Sequence, residues 1–251
     1  MPLPLDAPVN AWIFLSLSGL VGFVFADLFL FNAYGTVGPR VAMLFMALSP
    51  PMTAGIAYLF LGELMGPKGY LGMALVISGI ILTILGKSGF NLFRKDHTGP
   101  KPGIKITREE KQGYVYAFLS SLGQSVGMSL TKIGVAGYDP VSGTQIRVLT
   151  AIIGFGIVSL VMHRGKNIIT ALKSVSGLKY TAIGAVFGPF LGVTLSLFAI
   201  QRTNAGIVST FVGLTPVLIL APEIIFQKKK VKPLEIMGAI VAVGGSIIFF
   251  L

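Results

Sequence analysis

The chain has 251 residues, of which 53% are hydrophobic and only 12% charged, and its mean hydropathy is +0.83. A soluble domain carries roughly one-quarter charged residues, so the composition excludes one, and the absence of Cys excludes disulfides, thiolate metal sites and a Cys nucleophile. The net charge of +11 does not point to nucleic acid, because the cations lie in the breaks between apolar runs, where they set topology and meet anionic lipid.

Apolar runs of about 20 residues, the length a helix needs to cross about 30 Å of hydrocarbon, recur along the chain. The predicted fold is therefore all-α: a polytopic membrane protein with spans at 11–34, 38–61, 67–86, 113–136, 141–163, 178–200, 204–226 and 232–251. The first run follows MPLPLDAPVNAW, which has no Lys or Arg. It lacks the basic leader of a cleaved signal peptide and is expected to be retained.

Within this first span, in GFVFADLFLF, stands Asp27. At 1.5 Å per residue it lies roughly 22 Å from the face where the chain begins and about 10 Å from the other. A charge near the centre of a span costs roughly 2.5 to 3.5 kcal/mol on insertion scales and normally faces a cavity or a partner. On an α-helical wheel Asp27 shares a face with Ser16, Leu20, Phe23 and Tyr34, while Ser18, Gly22 and Ala26 make a small-residue ridge to the side. Asp27 is expected to serve a cavity or bind a coupling proton, against the simpler reading of a structural hydrogen bond.

The second span contains Pro50 and Pro51, expected to kink it, as is Pro216 in the seventh. Glu63 and Glu223 lie near span ends, where solvation is expected. The break at 87–112, rich in Gly, Pro and charge, separates three spans from five. In the fourth span Ser121, Gln124, Ser125, Met128 and Lys132 fall on one helical face, and Gly123 and Gly127 form a further small-residue pair. Ser121 and Gln124 reach the depth of Asp27 and are its expected partners, since a bridge to Lys132 or Arg147 needs more than about 10 Å of axial reach. The fifth span opens with DPVSGTQIRV, in which Thr144, Arg147 and Thr150 share a face. Lys132, Arg147 and Arg202 are expected to gather near one membrane face as a basic vestibule for an anionic or zwitterionic solute; snorkelling of Lys132 and Arg202 to the interface is the competing reading.

The chain repeats itself at an offset of 166 residues, without a gap. Gly22 falls on Gly188, Phe45 on Phe211, Leu48 on Leu214, Pro50 on Pro216, Pro67 on Pro233, Gly72 on Gly238 and Gly79 on Gly245. Spans one to three thus match spans six to eight. Counting spans four and five, the repeat unit has five, an odd number, so its two copies must cross the membrane in opposite senses, as inverted-repeat transporters do.

The stretch FNAYGTVGPRVAMLFMALSPPMTAGIAYLFLGELMGPKGYLGMALVISGIILTIL resembles the end of an EamA domain of the drug/metabolite transporter superfamily, through SPP within the span, LGE after it and GYLGMALVISGIIL beyond. FAIQRTNAGIVSTFVGLTPVLIL with EIMGAIVAVGGSIIFFL repeats it more faintly. The resemblance implies a ten-helix plan of two inverted five-helix repeats around a central cavity for small metabolites. On that plan residues 1–86 form an incomplete first repeat of three helices, 87–112 a linker and 113–251 a complete second repeat. Two helices that would precede Met1 are then expected, and a homodimer is one arrangement that would supply them. Lys229 stands where the repeat would match Glu63.

The cations divide unevenly: 16 of the 20 Lys and Arg lie on the face reached by the odd-numbered breaks. The positive-inside rule makes that face cytoplasmic and both termini external, whereas the resemblance implies the reverse. The expected function is secondary transport of a small polar metabolite by alternating access, with Asp27, Ser121, Gln124, Ser125, Thr144, Arg147 and Lys132 as substrate-binding residues. The expected partners are a small-molecule solute, membrane lipid and a coupling proton, without a cofactor. The expected location is the plasma (inner) membrane of a prokaryote. No carboxylate pair, nucleophile elbow, His cluster or P-loop suggests an enzyme or a primary pump. The alternative is a lipid translocator or a non-transporting remnant.

Overall fold

A computed structural model describes residues 4, 6–87, 108–162, 174–218 and 232–248. Glu223, Lys229, both His, most of the linker and the end of span seven lie outside the described residues. Among the described residues the chain is helical throughout, with no strand. The helices are α1 (Val9–Gly19), α2 (Ala26–Thr36), α3 (Gly38–Met46), α4 (Ser49–Leu61), α5 (Pro67–Lys87), α6 (Arg108–Val135), α7 (Pro140–Val161), α8 (Val175–Ala185), α9 (Val193–Ile200), α10 (Ala205–Gly213), α11 (Thr215–Leu218) and α12 (Pro233–Ile247). Two π-helical turns, π1 (Leu20–Phe25) and π2 (Val186–Gly192), join α1 to α2 and α8 to α9.

The 166-residue offset appears in the element boundaries. α1 starts at Val9 and α8 at Val175, π1 at Leu20 and π2 at Val186, α5 at Pro67 and α12 at Pro233. The mid-span breaks match too: α3 stops before Ala47 and Leu48, and α10 stops before Leu214. Pro50 and Pro51 fall in the first turn of α4, where a missing N–H costs nothing. They start a new helix after a break, where a kink in a continuous span had been expected.

α5 and α12, which correspond in the repeat, pack against each other along their length. As numbers rise on α5 from Gly72 through Gly79 to Thr83, their neighbours on α12 fall from Gly245 through Gly238 to Glu235. The two helices are therefore antiparallel, and the repeats inverted. The contact is reciprocal: Gly79 meets Gly238, which matches Gly72, and Gly245, which matches Gly79, meets Gly72. Such exchange of partners is what a two-fold axis produces. A Cβ at Gly79 would lie only 2.4 Å from the Ala242 nitrogen, so the helices touch backbone to backbone, the small-residue packing that replaces a hydrophobic drive in lipid.

The leg from α1 to α2 runs antiparallel to α6 in the same manner, with Leu15 at Gly134, Gly22 at Gly127, Ala26 at Gly123 and Thr36 at Gly113. The two ridges read separately from the sequence thus face one another. Among the described residues, four stretches are long and apolar enough to cross a membrane: Val9–Thr36, Val41–Leu61, Pro140–Val161 and Gly177–Ile200. α5 and α12 supply shorter apolar stretches. α6 has the length, 28 residues, but carries Ser120, Ser121, Ser125, Ser129 and Thr131, all buried within the bundle. These five polar groups face protein, where hydrogen bonds can satisfy them.

Candidate functional site

Asp27 emerges from the first turn of α2, just after π1. Its Oδ1 accepts a hydrogen bond from Gln124 Nε2 of α6 at 3.4 Å, and among the described residues no cation pairs with it. The antiparallel register of α6 against this leg carries Gln124 to the level of Asp27, as the depths from the sequence require. The other expected partner goes elsewhere: Ser121 Oγ donates to the Phe45 carbonyl at 2.5 Å.

Ser121 and Ser125 serve the break between α3 and α4. Ser125 Oγ lies 3.1 Å from the Ser49 carbonyl and 3.2 Å from Ser49 Oγ. A broken helix in lipid frees backbone groups that no water can satisfy, and side chains of a neighbouring helix must do so. The polar stripe of α6 therefore splits. Ser121 and Ser125 stabilise the break, Gln124 reaches Asp27, and Lys132 takes a third task.

Arg147, on α7, is buried with 6% of its surface exposed. Its guanidinium carbon stands 4.4 Å from the centre of the Phe23 ring, and its Nε has no hydrogen-bond partner. Phe23 belongs to π1, and π-turns inside α-helices often occur at functional positions. Gly22 lets the backbone come close here: a Cβ on it would lie 3.6 Å from Arg147 Nη2 and 3.3 Å from Gly127 Cα. One turn earlier on α7, Thr144 Oγ1 accepts from Thr194 Oγ1 at 3.1 Å, which ties α7 to α9. Phe23 and Asp27 are four residues apart on one leg, about 6 Å along the axis. Cation, ring and carboxylate thus form a row inside the membrane, without direct contact between the two charges.

The three cations expected to gather as a basic vestibule each have contacts of their own. Arg147 is buried beside Phe23, Arg202 is exposed with its guanidinium 3.7 Å above the Phe198 ring, and Lys132 forms an ion pair with Glu63. Glu63, expected to be solvated, is largely buried instead, its side chain 14% exposed. Gly62, at φ +66°, closes α4 in the left-handed conformation and turns the chain. Glu63 then accepts from the Ala205 N–H at 2.9 Å, which puts an anion at the positive N-terminus of α10. Lys132 Nζ also donates to the Thr203 carbonyl at 2.6 Å. The ends of α4 and α6 and the turn between α9 and α10 meet in one cluster. Sequence reasoning missed it, although the depth of Lys132 and the LGE motif placed both charges at the same face.

Inverted helical repeats, paired breaks near mid-span and unpaired charge in the interior define a polytopic membrane protein built like a carrier. A family model described as EamA-like transporter family matches residues 2–85 and 111–251. The chain belongs to this family, whose members are membrane transporters of the drug/metabolite superfamily. A solved protein crystal structure is similar in fold, with a TM-score of 0.67 at 18% identity over 98% of this chain and 76% of that one. No curated protein matches.

Proposed function

We propose that the protein is a secondary transporter of a small anionic or zwitterionic metabolite that alternates access between its two repeats. The observation that carries this is Arg147, a buried cation in a span that, among the described residues, pairs with no carboxylate and whose Nε has no hydrogen-bond partner. Burying a charge unpaired is costly enough that such groups mark ligand paths. A solute carboxylate would satisfy the guanidinium as a charge-assisted bond in low dielectric, with Phe23 holding the fork in place. Asp27 and Gln124 form the second pole, suited to an ammonium group or a coupling proton. Thr144 lies beside Arg147 on the same helical face. Lys132, Ser121 and Ser125 act on the shape of the path through the backbone groups they hold.

Uptake into proteoliposomes with a panel of amino acids and carboxylates tests this. Carboxylate-bearing solutes should enter at least tenfold faster than into empty vesicles, and Arg147→Gln should remove the difference. Transport of lipid analogues with no solute uptake would favour the lipid translocator instead, and neither activity would leave a non-transporting protein.

A further inference from the structure

Arg147 turns away from the membrane face nearer to it. Its backbone lies against α1, where a Cβ at Gly19 would come within 2.8 Å of the Arg147 carbonyl oxygen. Its guanidinium stands over Phe23, four residues and about 6 Å deeper along the same leg. A long basic side chain near a span end ordinarily snorkels outward to water; this one runs inward. A guanidinium does not lose its proton in a protein, so burial cannot make it neutral. Asp27 accepts from Gln124, and Glu63 is held by Lys132 and the Ala205 N–H. Water is kept out as well. On the side where Arg147 enters the membrane, α4 and α10 are in contact: a Cβ at Gly206 would lie 2.8 Å from Ala54 Cβ, and Thr53 Oγ1 donates to Ser209 Oγ at 3.2 Å. Arg147 is left 6% exposed.

A carrier that alternates access passes, on every crossing, through a form shut at both faces. With a solute bound, that form pairs the guanidinium with a carboxylate. Empty, it buries a permanent charge without a counter-ion, and the cost adds to the barrier. A proton on Asp27 cannot stand in for the solute, because it removes the negative charge of the row and leaves Arg147 still less compensated. We infer that the protein works chiefly as an exchanger: its return step is fast only when a second carboxylate-bearing solute rides back from the opposite side. This mode presupposes the carboxylate transport proposed above. Exchange of like for like moves no net charge, so its rate is independent of membrane potential.

Proteoliposomes holding the full chain are filled with buffer alone or with one unlabelled solute, alanine or succinate, and the labelled form of that solute is added outside. Internal solute should raise initial uptake at least tenfold, and an imposed potassium-diffusion potential should not alter the exchange rate. A second measurement follows the crossing without transport. Because the chain has no Cys, Ser209→Cys in detergent reports the parting of α4 and α10 through its rate of reaction with a maleimide. Solute should speed this labelling at least tenfold, and Arg147→Met or Arg147→Gln, added to the reporter, should give the fast rate with no solute present. Uptake that ignores the internal solute would overturn exchange and leave transport standing, whereas no uptake into either set of vesicles would overturn the transport reading and exchange with it. Slow labelling in both Arg147 variants would overturn the buried charge as the brake on the empty carrier.

Discussion

At the scale of the residue, the proposed site rests on the cost of burying Arg147 against Phe23 with no carboxylate partner among the described residues. A buried charge without a partner destabilises the unliganded protein, and replacing such groups with apolar side chains of similar volume is often neutral or stabilising. Arg147→Met should therefore raise the melting temperature in detergent, by an amount equivalent to about 1 kcal/mol or more, while uptake of carboxylates is lost. A structural Arg147 would give the opposite sign, a lower melting temperature. Arg147→Lys keeps the charge but not the planar fork, so partial uptake with weaker apparent affinity is expected. Asp27→Asn retains a side-chain oxygen to accept from Gln124 but not the charge. It should leave folding intact and reduce uptake at least tenfold; unchanged uptake and unchanged proton dependence would remove Asp27 from the mechanism. The sequence made Asp27, Gln124 and Arg147 visible as single costly residues. It did not reveal that Arg147 rests on Phe23, because a helical wheel assumes 3.6 residues per turn. π1 adds to that turn, so Leu20, placed on the Asp27 face by the wheel, is 41% exposed.

Among the elements, the repeat was the most legible feature, since helix starts at Val9 and Val175 and at Pro67 and Pro233 preserve the offset found by sliding the sequence on itself. Glycine and proline carried that signal because each answers a backbone requirement: close approach in one case, a helix start in the other. The serine functions were not legible. A stripe at helical spacing looks the same whether it lines a path or caps a broken neighbour, and only the packing of α6 against α3 and α4 decides between them. The close approach of α5 and α12 leads to a direct prediction. Gly79→Ala would thrust a methyl to within 2.4 Å of backbone, so the helices must separate, at about 1–3 kcal/mol for an overpacked contact. Thermal unfolding in detergent should show the loss, whereas Gly244→Ala on α12, with nothing within 4 Å of its Cβ position, should melt like the parent.

On the scale of the whole molecule, alternating access requires the repeats to part at one face while they close at the other. The cluster of Glu63, Lys132, Thr203 and Ala205 holds α4 and α6 against the α9–α10 turn at the face where the chain begins. On the alternating-access reading proposed above, this cluster would latch the state closed on that side. Glu63→Gln keeps an oxygen for the Ala205 N–H but removes the ion pair, and charged hydrogen bonds contribute about 1.5–3 kcal/mol. At about 1.4 kcal/mol per factor of ten, the population open at that face should rise by roughly tenfold or more. A reporter already exists in Thr53, buried between the repeats with its hydroxyl 3.2 Å from Ser209 Oγ. A maleimide that cannot cross membranes should label Thr53→Cys slowly in the parent and about tenfold faster with Glu63→Gln, and Lys132→Gln, which also removes the ion pair, should raise the rate in the same way. The side of access also decides orientation. The positive-inside reading of the cation excess on the opposite face predicts that this latch lies outside the cell, in which case reagent added to intact cells should suffice. Labelling that requires reagent on the cytoplasmic side would keep the latch and reverse the topology, whereas equal rates in all three proteins would leave the cluster a static tie with no part in access.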